Sequence, residues 1–523
     1  MKRRTLLTLA AVLIPIAAAI IYFTLWGEAP REDKRDDHIM DDALATPEDA
    51  LPSELVHGKK VPYTEFSDAE GNKVSLEDYY GEPLWILSWA SWCPDCKDQL
   101  LLAEAMKQAA AERGVRLLLI DRLNPKKESV ENALAELAGL DVELECIFDR
   151  DEVAYKAWGI KMIPTSVFLD AEGCVVAMDP NVMSVPAFES VLDEVVGGHG
   201  SKLYDFVKRE MLMEDGGVIT GSDSTGNPSG SDVLSESEGL LMTYAVMTED
   251  RETYDLVKDY AIKNLYNSGL FAWYASGSEK PDSDALIDDM RIWYAMDMAA
   301  EKWGEDEISG EIRLEIQDAI YEKLLNKKVP VNCINFSSGA QSGDIALFYL
   351  NIDLFQRLEK RDRRFHGVTN KVFKIIEEGY ISADMPGYYS SYNLKKDQYS
   401  SADLNMAEEL CTMYYMAKEG RLKTTTYDWL KRKILRGELS AAYTVKGEVP
   451  EGYEYHSTAV YALAALIADE MSDTRTREIA IRRMERFRVR DVNSSLDGGF
   501  SADGKNFRSF DQLIPLFVYE RLR

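Results

Sequence analysis

Two cysteines separated by two residues, in the run Trp92-Cys93-Pro94-Asp95-Cys96, have the spacing of a redox-active dithiol. An apolar run over residues 83–90 precedes them and predicts a buried strand, and a helical stretch follows. The partial positive charge at a helix start stabilises a thiolate, which is the form that attacks a disulfide. We therefore expect Cys93 to be the nucleophile and Cys96 the thiol that resolves the mixed disulfide.

A static disulfide or a zinc site is the alternative for this cysteine pair. A zinc ion normally takes four ligands, and the sequence has no second Cys-x-x-Cys and no close pair of histidines to complete the set. We predict neither a metal nor a cofactor.

The order of elements around the dithiol is that of a βαβ unit. A strand is predicted over residues 115–121, and Pro164 stands directly before another, residues 165–170. With the stretch from Gly71 to Gly81, Gly-Asn-x-Val-Ser-Leu-x-x-Tyr-x-Gly, these features resemble the thioredoxin superfamily and its TlpA/ResA branch. The resemblance implies an α/β thioredoxin-like domain over residues 56–198, a cis Pro164 facing the cysteines, and a partner protein that bears a thiol or disulfide.

The sequence departs from thioredoxin six residues before the nucleophile. Thioredoxin keeps a buried acid there, which handles the proton of the resolving thiol, and Leu87 occupies that place in this chain. Another group or water must then receive the proton of Cys96.

Length and charge limit the remaining possibilities. The chain has 523 residues, enough for two or more domains, and 90 acidic against 60 basic residues give it a formal charge of −30. Such a surface would repel a phosphate backbone, so nucleic acid is excluded as a partner.

The first residues predict a membrane anchor. Three basic residues, Lys2 to Arg4, precede an uncharged, largely apolar run that reaches Gly27, so residues 1–27 can form one transmembrane helix. The positive cluster should remain in the cytoplasm, which makes the protein a single-pass cell-membrane protein with its C-terminal part extracytoplasmic. A cleaved signal peptide and a secreted protein are the alternative. Residues 28–55 are charged and predict an acidic tether.

Residues 203–523 have a different pattern. About eleven amphipathic segments of helical period follow one another, and strand-like alternation is almost absent. So many helices in about 320 residues favour helical hairpins closed into an all-α (α/α)6 barrel, with polar chemistry gathered where the inner helices begin. The fold class is therefore multidomain.

Several motifs in the helical region resemble glycoside hydrolase family 8, especially its divergent members associated with exopolysaccharide operons. They are Ser235-Glu-Ser-Glu-Gly239, Gly269-Leu-Phe-Ala-Trp273, the segment from Asp288 to Trp303, and Phe510-Asp-Gln-Leu513. The resemblance implies inverting hydrolysis of a β-linked polysaccharide, with Glu238 of the Ser-Glu-Gly piece as the general acid. An inverting pair is expected to be about 6.5–9.5 Å apart, and Glu408 or Asp403 is the candidate base.

The same resemblance suggests residues that bind the sugar. The family's Asp-x-Asp motif has Ile287 at its first position here, with Asp288 and Asp289 following. Those two aspartates, the aromatic platforms Trp273, Tyr274 and Tyr399, and also Asp511 are the predicted substrate-binding residues. The rival hypothesis is a non-catalytic glycan-binding barrel, in which thiol–disulfide exchange is the only chemistry. A second carboxylate facing Glu238 across an open cleft would separate the two.

Overall fold

The computed structural model describes residues 51–124, 126–222, 232–277 and 279–522, which fall into two compact units. In those ranges the sheet unit comprises residues 51–210, 485–504 and 516–522, and the helical unit comprises residues 211–484 and 505–515. The predicted anchor, residues 1–27, and the tether as far as residue 50 lie outside the described residues. Within the described ranges, no helix is both long enough and apolar enough to cross a bilayer.

A seven-stranded sheet forms the centre of the sheet unit, in the order β2-β1-β5-β4-β3-β6-β7. Its strands are β1 (Glu65–Ser67), β2 (Lys73–Ser75), β3 (Leu84–Trp89), β4 (Arg116–Leu123), β5 (Cys146–Arg150), β6 (Thr165–Leu169) and β7 (Val175–Asp179). Strands β3, β4 and β5 are parallel, and β6 and β7 continue the sheet antiparallel. All six residues of β3 are buried, which explains its unbroken apolar sequence.

Six helices belong to the sheet unit: α1 (Pro94–Leu100), α2 (Ala103–Glu112), α3 (Val130–Gly139), α4 (Val153–Ala157), α5 (Val185–Gly197) and α6 (Ser201–Phe206). Helices α2 and α5 pack on each other. On the sheet, Trp85 of β3 meets Phe188 of α5 edge to face, with ring centroids 5.1 Å apart. That contact identifies the face of the sheet that α2 and α5 cover.

Residues 485–504, near the C-terminal end of the chain, complete the sheet unit. Asp497 is buried; its carboxylate accepts a hydrogen bond from the Ser190 hydroxyl and lies 2.6 Å from the Lys202 ammonium. Arg488 forms a second buried ion pair with Glu194, at 3.0 Å. These residues, far apart in sequence, therefore share one buried ionic network.

The helical unit is built from eleven helices in the described residues. They are α7 (Ser235–Met247), α8 (Arg251–Tyr260), α9 (Leu286–Trp303), α10 (Glu307–Lys323), α11 (Ile352–Arg361), α12 (Val368–Glu378), α13 (Met406–Lys418), α14 (Thr424–Arg436), α15 (Thr458–Glu470), α16 (Thr474–Glu485) and α17 (Ser509–Glu520). The division between units falls inside α16, after Met484, and inside α17, after Pro515.

Six of these helices contact one another in succession. Helix α7 packs on α9, α9 on α11, α11 on α13, and α13 on α15. Asp511 of α17 accepts hydrogen bonds at the start of α15, and Ser509 of α17 is bonded to Ser237 of α7 at 2.9 Å, which returns the series to its first helix. The remaining helices, such as α8 against α7 and α10 against α9, pack on the outside of this ring.

Short two- and three-stranded ribbons join the helices of this unit. They use β8 (Asp232–Leu234), β9 (Tyr266–Asn267), β10 (Leu270–Phe271), β11 (Tyr274–Ser276), β12 (Leu325–Asn326), β13 (Val329–Pro330), β14 (Asp344–Ala346), β15 (Ser391–Asn393), β16 (Gln398–Tyr399), β17 (Leu404–Asn405) and β18 (Ala442–Tyr443). The ribbon of β8 and β11 runs directly into α7 and so positions its first residues.

Candidate active sites

The dithiol lies at the start of α1, directly after β3. Cys93 is the N-cap of this helix, and its sulfur accepts a hydrogen bond from the Cys96 backbone N–H at 3.3 Å. The same thiol is 3.5 Å from the carbonyl oxygen of Ile163, and the bond between Ile163 and Pro164 is cis. The structure thus brings together Cys93, Cys96 and Pro164, and both thiols are free.

The two thiols differ in how far they are exposed to solvent. Cys93 is 5% exposed and Cys96 is wholly buried. Burial, followed by the hydrogen bond to Cys93, raises the pKa of the Cys96 thiol. The Cys93 sulfur is therefore the more accessible of the two, and the Cys96 thiol is enclosed by protein.

Glu128 holds the backbone that leads into the dithiol. Its carboxylate accepts hydrogen bonds from the Ser91 N–H at 2.6 Å and from the Ser91 hydroxyl at 2.9 Å. Ser91 lies two residues before Cys93, so Glu128 fixes the turn between β3 and α1.

In the helical unit, four acids near the starts of inner helices bind the backbone of neighbouring segments. Glu238 accepts from the Val218 N–H at 2.8 Å, Asp289 from Phe271 at 2.7 Å, Glu409 from Tyr388 at 2.6 Å, and Asp511 from Ala459 at 2.8 Å. Glu238, Asp289 and Glu409 are buried and Asp511 is half-buried, and burial is the first cause that raises the pKa of each. We call them the loop-binding acids.

Glu238 therefore lies elsewhere than the sequence led us to expect. Its side chain is wholly buried, and its neighbours are the Val218 backbone and, at longer range, Asp215 and Tyr260. The physical reason is helical geometry, because residues two apart on a helix point to nearly opposite sides. Glu236, two residues earlier, occupies the other side.

Glu236, Asp288 and Glu408 form a second set, which we call the cleft acids. Glu236 is 2.8 Å from the Arg291 guanidinium and its side chain is 23% exposed, whereas Asp288 lies 3.5 Å from Arg291 and accepts from the Ser235 hydroxyl at 2.8 Å. The pKa of Glu408 is raised to about 7, first by burial and then by the charge of Glu236. Glu236 of α7 and Asp288 of α9 thus share Arg291, and Glu408 of α13 is linked to them through the charge of Glu236.

The Asp-x-Asp segment divides between the two sets. Ile287 is buried, Asp288 faces Ser235 and Arg291, and Asp289 faces the loop at Phe271. Asp289 also interacts with Asp284, whose other partner is the Ile334 N–H at 2.6 Å. Burial raises the pKa of both members of this pair, and the charge of Asp284 raises that of Asp289 further.

The other predicted residues have varied surroundings. Glu408 lines a pocket, and Asp403, the alternative base, is exposed. Trp273 and Tyr274 are half-buried, with ring centroids 5.4 Å apart, and the Trp273 carbonyl accepts from Ser235 beside the cleft acids. The residues that line the pocket with Glu408 are Phe348, Tyr389, Ser390, Leu404, Asn405, Glu409 and Thr412.

Tyr399 is tied to this pocket through a neighbouring ring. It stacks on Tyr389 at 5.5 Å with an angle of 20° between the rings, and its hydroxyl donates to the Ile375 carbonyl.

Sequence reasoning missed Glu236 and Arg291. The signal for Glu236 was present in the Glu-Ser-Glu spacing, which places one acid on each side of α7. Arg291 carried no signal of its own, because a lone arginine in an amphipathic helix is normally a surface residue. In the described residues, no group of three or more histidine, cysteine or acidic side chains could hold a metal ion.

Comparison with known proteins gives separate matches for the two units. Residues 57–178 match the AhpC/TSA family. The thiol-disulfide oxidoreductase ResA of Bacillus cereus (strain ATCC 10987 / NRS 248) is 22% identical over 176 residues, which are 34% of this chain and 88% of that protein. "Putative lipoprotein YdaJ" of Bacillus subtilis (strain 168) is 28% identical over 315 residues, covering 60% of this chain and 84% of YdaJ.

Solved structures extend the comparison to the helical unit. An α-amylase from Clostridium perfringens has a TM-score of 0.57 at 25% identity and covers 62% of this chain and 99% of its own. The family 8 glycosyl hydrolase Cel10 of Klebsiella pneumoniae has a TM-score of 0.43 at 15% identity, covering 54% and 99%. The chain therefore combines a segment that matches the AhpC/TSA family, with ResA among its relatives, and a helical unit similar in fold to the α-amylase from Clostridium perfringens.

Proposed function

We propose that the helical unit is a glycoside hydrolase and that Glu236 and Glu408 are its two catalytic carboxyls. The observation that supports this proposal is their shared environment. They begin two different inner helices, neither accepts a backbone hydrogen bond from a loop among the described residues, and the charge of Glu236 contributes to the raised pKa of Glu408. Two carboxyls in unequal surroundings are what hydrolysis of a glycosidic bond requires.

The surroundings of the two groups favour distinct roles. Burial raises the pKa of Glu408 to about 7, so it can carry a proton to the departing sugar oxygen near neutral pH. Arg291 forms an ion pair with Glu236 at 2.8 Å, and a carboxylate is the form that activates water. We therefore assign Glu408 as proton donor and Glu236 as base. This reverses the order implied by the family resemblance, in which the donor is on the first inner helix.

Asp288 and the aromatic rings are proposed to hold the sugar. Asp288 is the cleft acid of α9 and is fixed by Ser235 and Arg291, so its oxygens can accept hydrogen bonds from sugar hydroxyls. Trp273, next to Ser235, and Tyr399, which stacks on Tyr389 of the Glu408 pocket, are candidate platforms for pyranose rings.

Release of reducing ends from polysaccharides tests the assignment. Glu236→Gln and Glu408→Gln are expected to lose roughly 10²–10⁴-fold in kcat. Glu238→Gln is the matched control on the same helix. Because the pKa of Glu238 is raised well above its usual value, glutamine imitates its protonated form and still accepts from Val218, so activity should persist. If Glu236→Gln stays active and Glu238→Gln is inactive, the catalytic residue is Glu238 and not Glu236.

Activated substrates distinguish donor from base. A leaving group that departs without a proton should restore hydrolysis by Glu408→Gln but not by Glu236→Gln. Azide should restore turnover only where the base has been removed, as in Glu236→Ala, by attacking in place of activated water. The opposite pattern would exchange the two roles. Asp403→Asn, at an exposed position, is expected to keep full activity.

For the substrate class we propose a β-linked polysaccharide of the cell envelope or a secreted glycan. An α-linked glucan is the second candidate, because the helical unit matches an α-amylase with a TM-score of 0.57. The panel should therefore contain β-1,3- and β-1,4-glucans, the host's own exopolysaccharide and starch. If no polysaccharide in the panel is cleaved but one is bound, the rival scaffold hypothesis is correct.

For the sheet unit we propose thiol–disulfide exchange with a partner protein. Cys93 attacks, and Cys96 resolves the mixed disulfide; Pro164, beside Ile163, is proposed to contact the extended substrate. Insulin reduction should occur with wild type and not with Cys93→Ser. Equal turnover by the two proteins would reject the assignment.

We further propose that both units act outside the cytoplasm, attached to the cell membrane by residues 1–27 or secreted after their removal. The apolar run behind three basic residues and the likeness to YdaJ support this location. Fractionation of cells that express the full chain, with protease accessibility of the sheet unit as readout, tests it.

A further inference from the structure

Asp121 is a buried acid that the proposed reactions leave without a role. It lies in β4, its side chain is wholly buried, and neither carboxylate oxygen has a hydrogen-bond partner among the described residues. A buried polar group without a partner costs about 1–3 kcal/mol, and more if it is charged. A leucine at this position would avoid that cost, so the presence of a carboxyl indicates a chemical role.

Strand register places Asp121 on the same face of the sheet as the dithiol helix. In the parallel pair of β3 and β4, Leu87 is level with Leu119 and Trp89 with Asp121. Side chains two apart on a strand share a face, so Asp121, Trp89 and Trp85 all point to the side that α5 covers, where Trp85 meets Phe188. Helix α2, which continues from the dithiol helix α1, packs on α5 on that same side.

Asp121 also lies at the end of the sheet from which the dithiol projects. It is level with Trp89, the last residue of β3, and the dithiol turn follows directly, with the Cys93 N–H bonded to the Ala90 carbonyl. Asp121 thus points to the same face of the sheet as Leu87. It lies on the neighbouring strand, two residues nearer the end that carries the cysteines. An acid here compensates for the leucine at residue 87.

The groups around Asp121 make its protonation reversible near neutral pH. Glu128 of the turn before α3 and Asp149, on the opposite face of β5, are the acids whose charges act on Asp121, and the Cys146 thiol of β5 is affected in turn by the charge of Asp121. Burial first, and these carboxylates second, raise the pKa of Asp121 to about 8. Glu128 is the same residue that binds Ser91 of the dithiol turn.

We infer that Asp121 is the proton acceptor for the Cys96 thiol when the mixed disulfide is resolved. Cys96 gives its proton to the Asp121 carboxylate, and its thiolate attacks the Cys93 sulfur. The Cys93–Cys96 disulfide forms, and the bond from Cys93 to the partner's sulfur breaks, releasing the partner as a thiolate. The partner is reduced by two electrons and the dithiol oxidised by two; in the reverse direction Asp121 returns the proton. This inference rests on the proposed exchange reaction of the sheet unit.

Ellman's reagent separates attack from resolution in the full chain. With the free thiols Cys146, Cys174, Cys333 and Cys411 replaced by alanine, attack by Cys93 releases one thionitrobenzoate and resolution by Cys96 releases a second, so stopped-flow absorbance gives both rates. Asp121→Asn should leave the first rate unchanged and slow the second by roughly 100-fold at neutral pH. The second rate of wild type should rise with pH up to about 8, as Asp121 loses its proton, and this rise should be absent in Asp121→Asn. Asp121→Glu, which keeps a carboxyl, should retain it.

Asp497→Asn is the matched control. It removes another buried carboxyl of the same unit, one that binds the Ser190 hydroxyl and the Lys202 ammonium, so it should lower the melting temperature without slowing resolution. An unchanged second rate and pH profile in Asp121→Asn would overturn the inference while the exchange reaction stands. Release of only one thionitrobenzoate by wild type would overturn the exchange reaction itself, and the inference with it.

Discussion

Removing the Asp497 carboxylate should destabilise the sheet unit more than any exposed substitution in the same segment. The carboxylate is 2.6 Å from the Lys202 ammonium, and its other oxygen accepts from the Ser190 hydroxyl and from the Asp491 N–H at 3.0 Å. Both charged side chains are largely buried, at 6% and 13% exposure. Asp497→Ala therefore leaves a buried ammonium and a buried hydroxyl without their main partner.

The expected loss follows from these contacts. Breaking a buried ion pair by removing one partner costs about 3–5 kcal/mol. Lys202 keeps a second, more exposed acid, Asp193, at 3.1 Å, which favours the lower end, and the unsatisfied Ser190 hydroxyl adds about 1 kcal/mol. A total near 3–4 kcal/mol, with a slope of about 2 kcal/mol per molar urea, lowers the midpoint of unfolding by roughly 1.5–2 M.

Thiol labelling reports this loss for each unit separately. Cys96 and Cys146 belong to the sheet unit, Cys333 and Cys411 to the helical unit, and all are free. Mass spectrometry of peptides labelled across a urea gradient then gives two midpoints from one experiment. Asp497→Asn should fall between alanine and wild type, since it keeps the acceptor for Ser190 but not the charge. Asp491→Ala, on an exposed side chain, should change the midpoint little. If Asp497→Ala leaves the midpoints of Cys96 and Cys146 unchanged, residues 485–504 do not stabilise the sheet unit.

Three further outcomes are expected. Hydrolysis of a neutral polysaccharide should fall as pH rises through 7, since Glu408, whose pKa is about 7, is the proposed donor; a rate that climbs over that interval would make Glu408 the base. Burial raises the pKa of Asp284 from 3.8 to about 6, so the stability it contributes is complete below about pH 4 and is lost as pH rises through 6; Asp284→Asn should weaken that pH dependence of the urea midpoint, and an unchanged dependence would contradict it. A β-carbon at Gly239 would lie 2.8 Å from the Arg291 β-carbon, so Gly239→Ala should cost about 1–3 kcal/mol and reduce kcat by moving Glu236 from Arg291; wild-type kinetics would show that α7 and α9 can separate without consequence.

Local pattern was sufficient to predict the centre of the sheet unit. The unbroken apolar run before Cys93 became β3, and Pro164 precedes β6 as expected. These features depend on neighbours in sequence, which is why composition and spacing reveal them. Asp121 needed strand register, because only pairing with β3 shows which face it shares.

The acids at the starts of the inner helices show the limit of motif reasoning. The motifs pointed to α7 and α9, and within each helix neighbouring acids have different partners. Glu236 pairs with Arg291 while Glu238 binds the Val218 backbone, and Asp288 binds Ser235 while Asp289 binds the Phe271 backbone. A rotation of about 100° per residue decides whether an acid faces the cleft or a loop, and that rotation depends on contacts between distant segments. The ionic network of residues 485–504 was unpredictable for the same reason, since its partners are about 300 residues apart.

The order of segments along the chain has a consequence for biosynthesis. The sheet unit contains residues near both ends of the described chain, and nearly all of the helical unit is translated between them. A nascent chain can form the dithiol turn early, but the ribosome must finish the helices before Asp497 and Arg488 emerge to close the network. Every chain with a finished sheet unit has thus also had its helical unit synthesised. The cell therefore obtains the two units in a fixed one-to-one ratio without any separate control of expression.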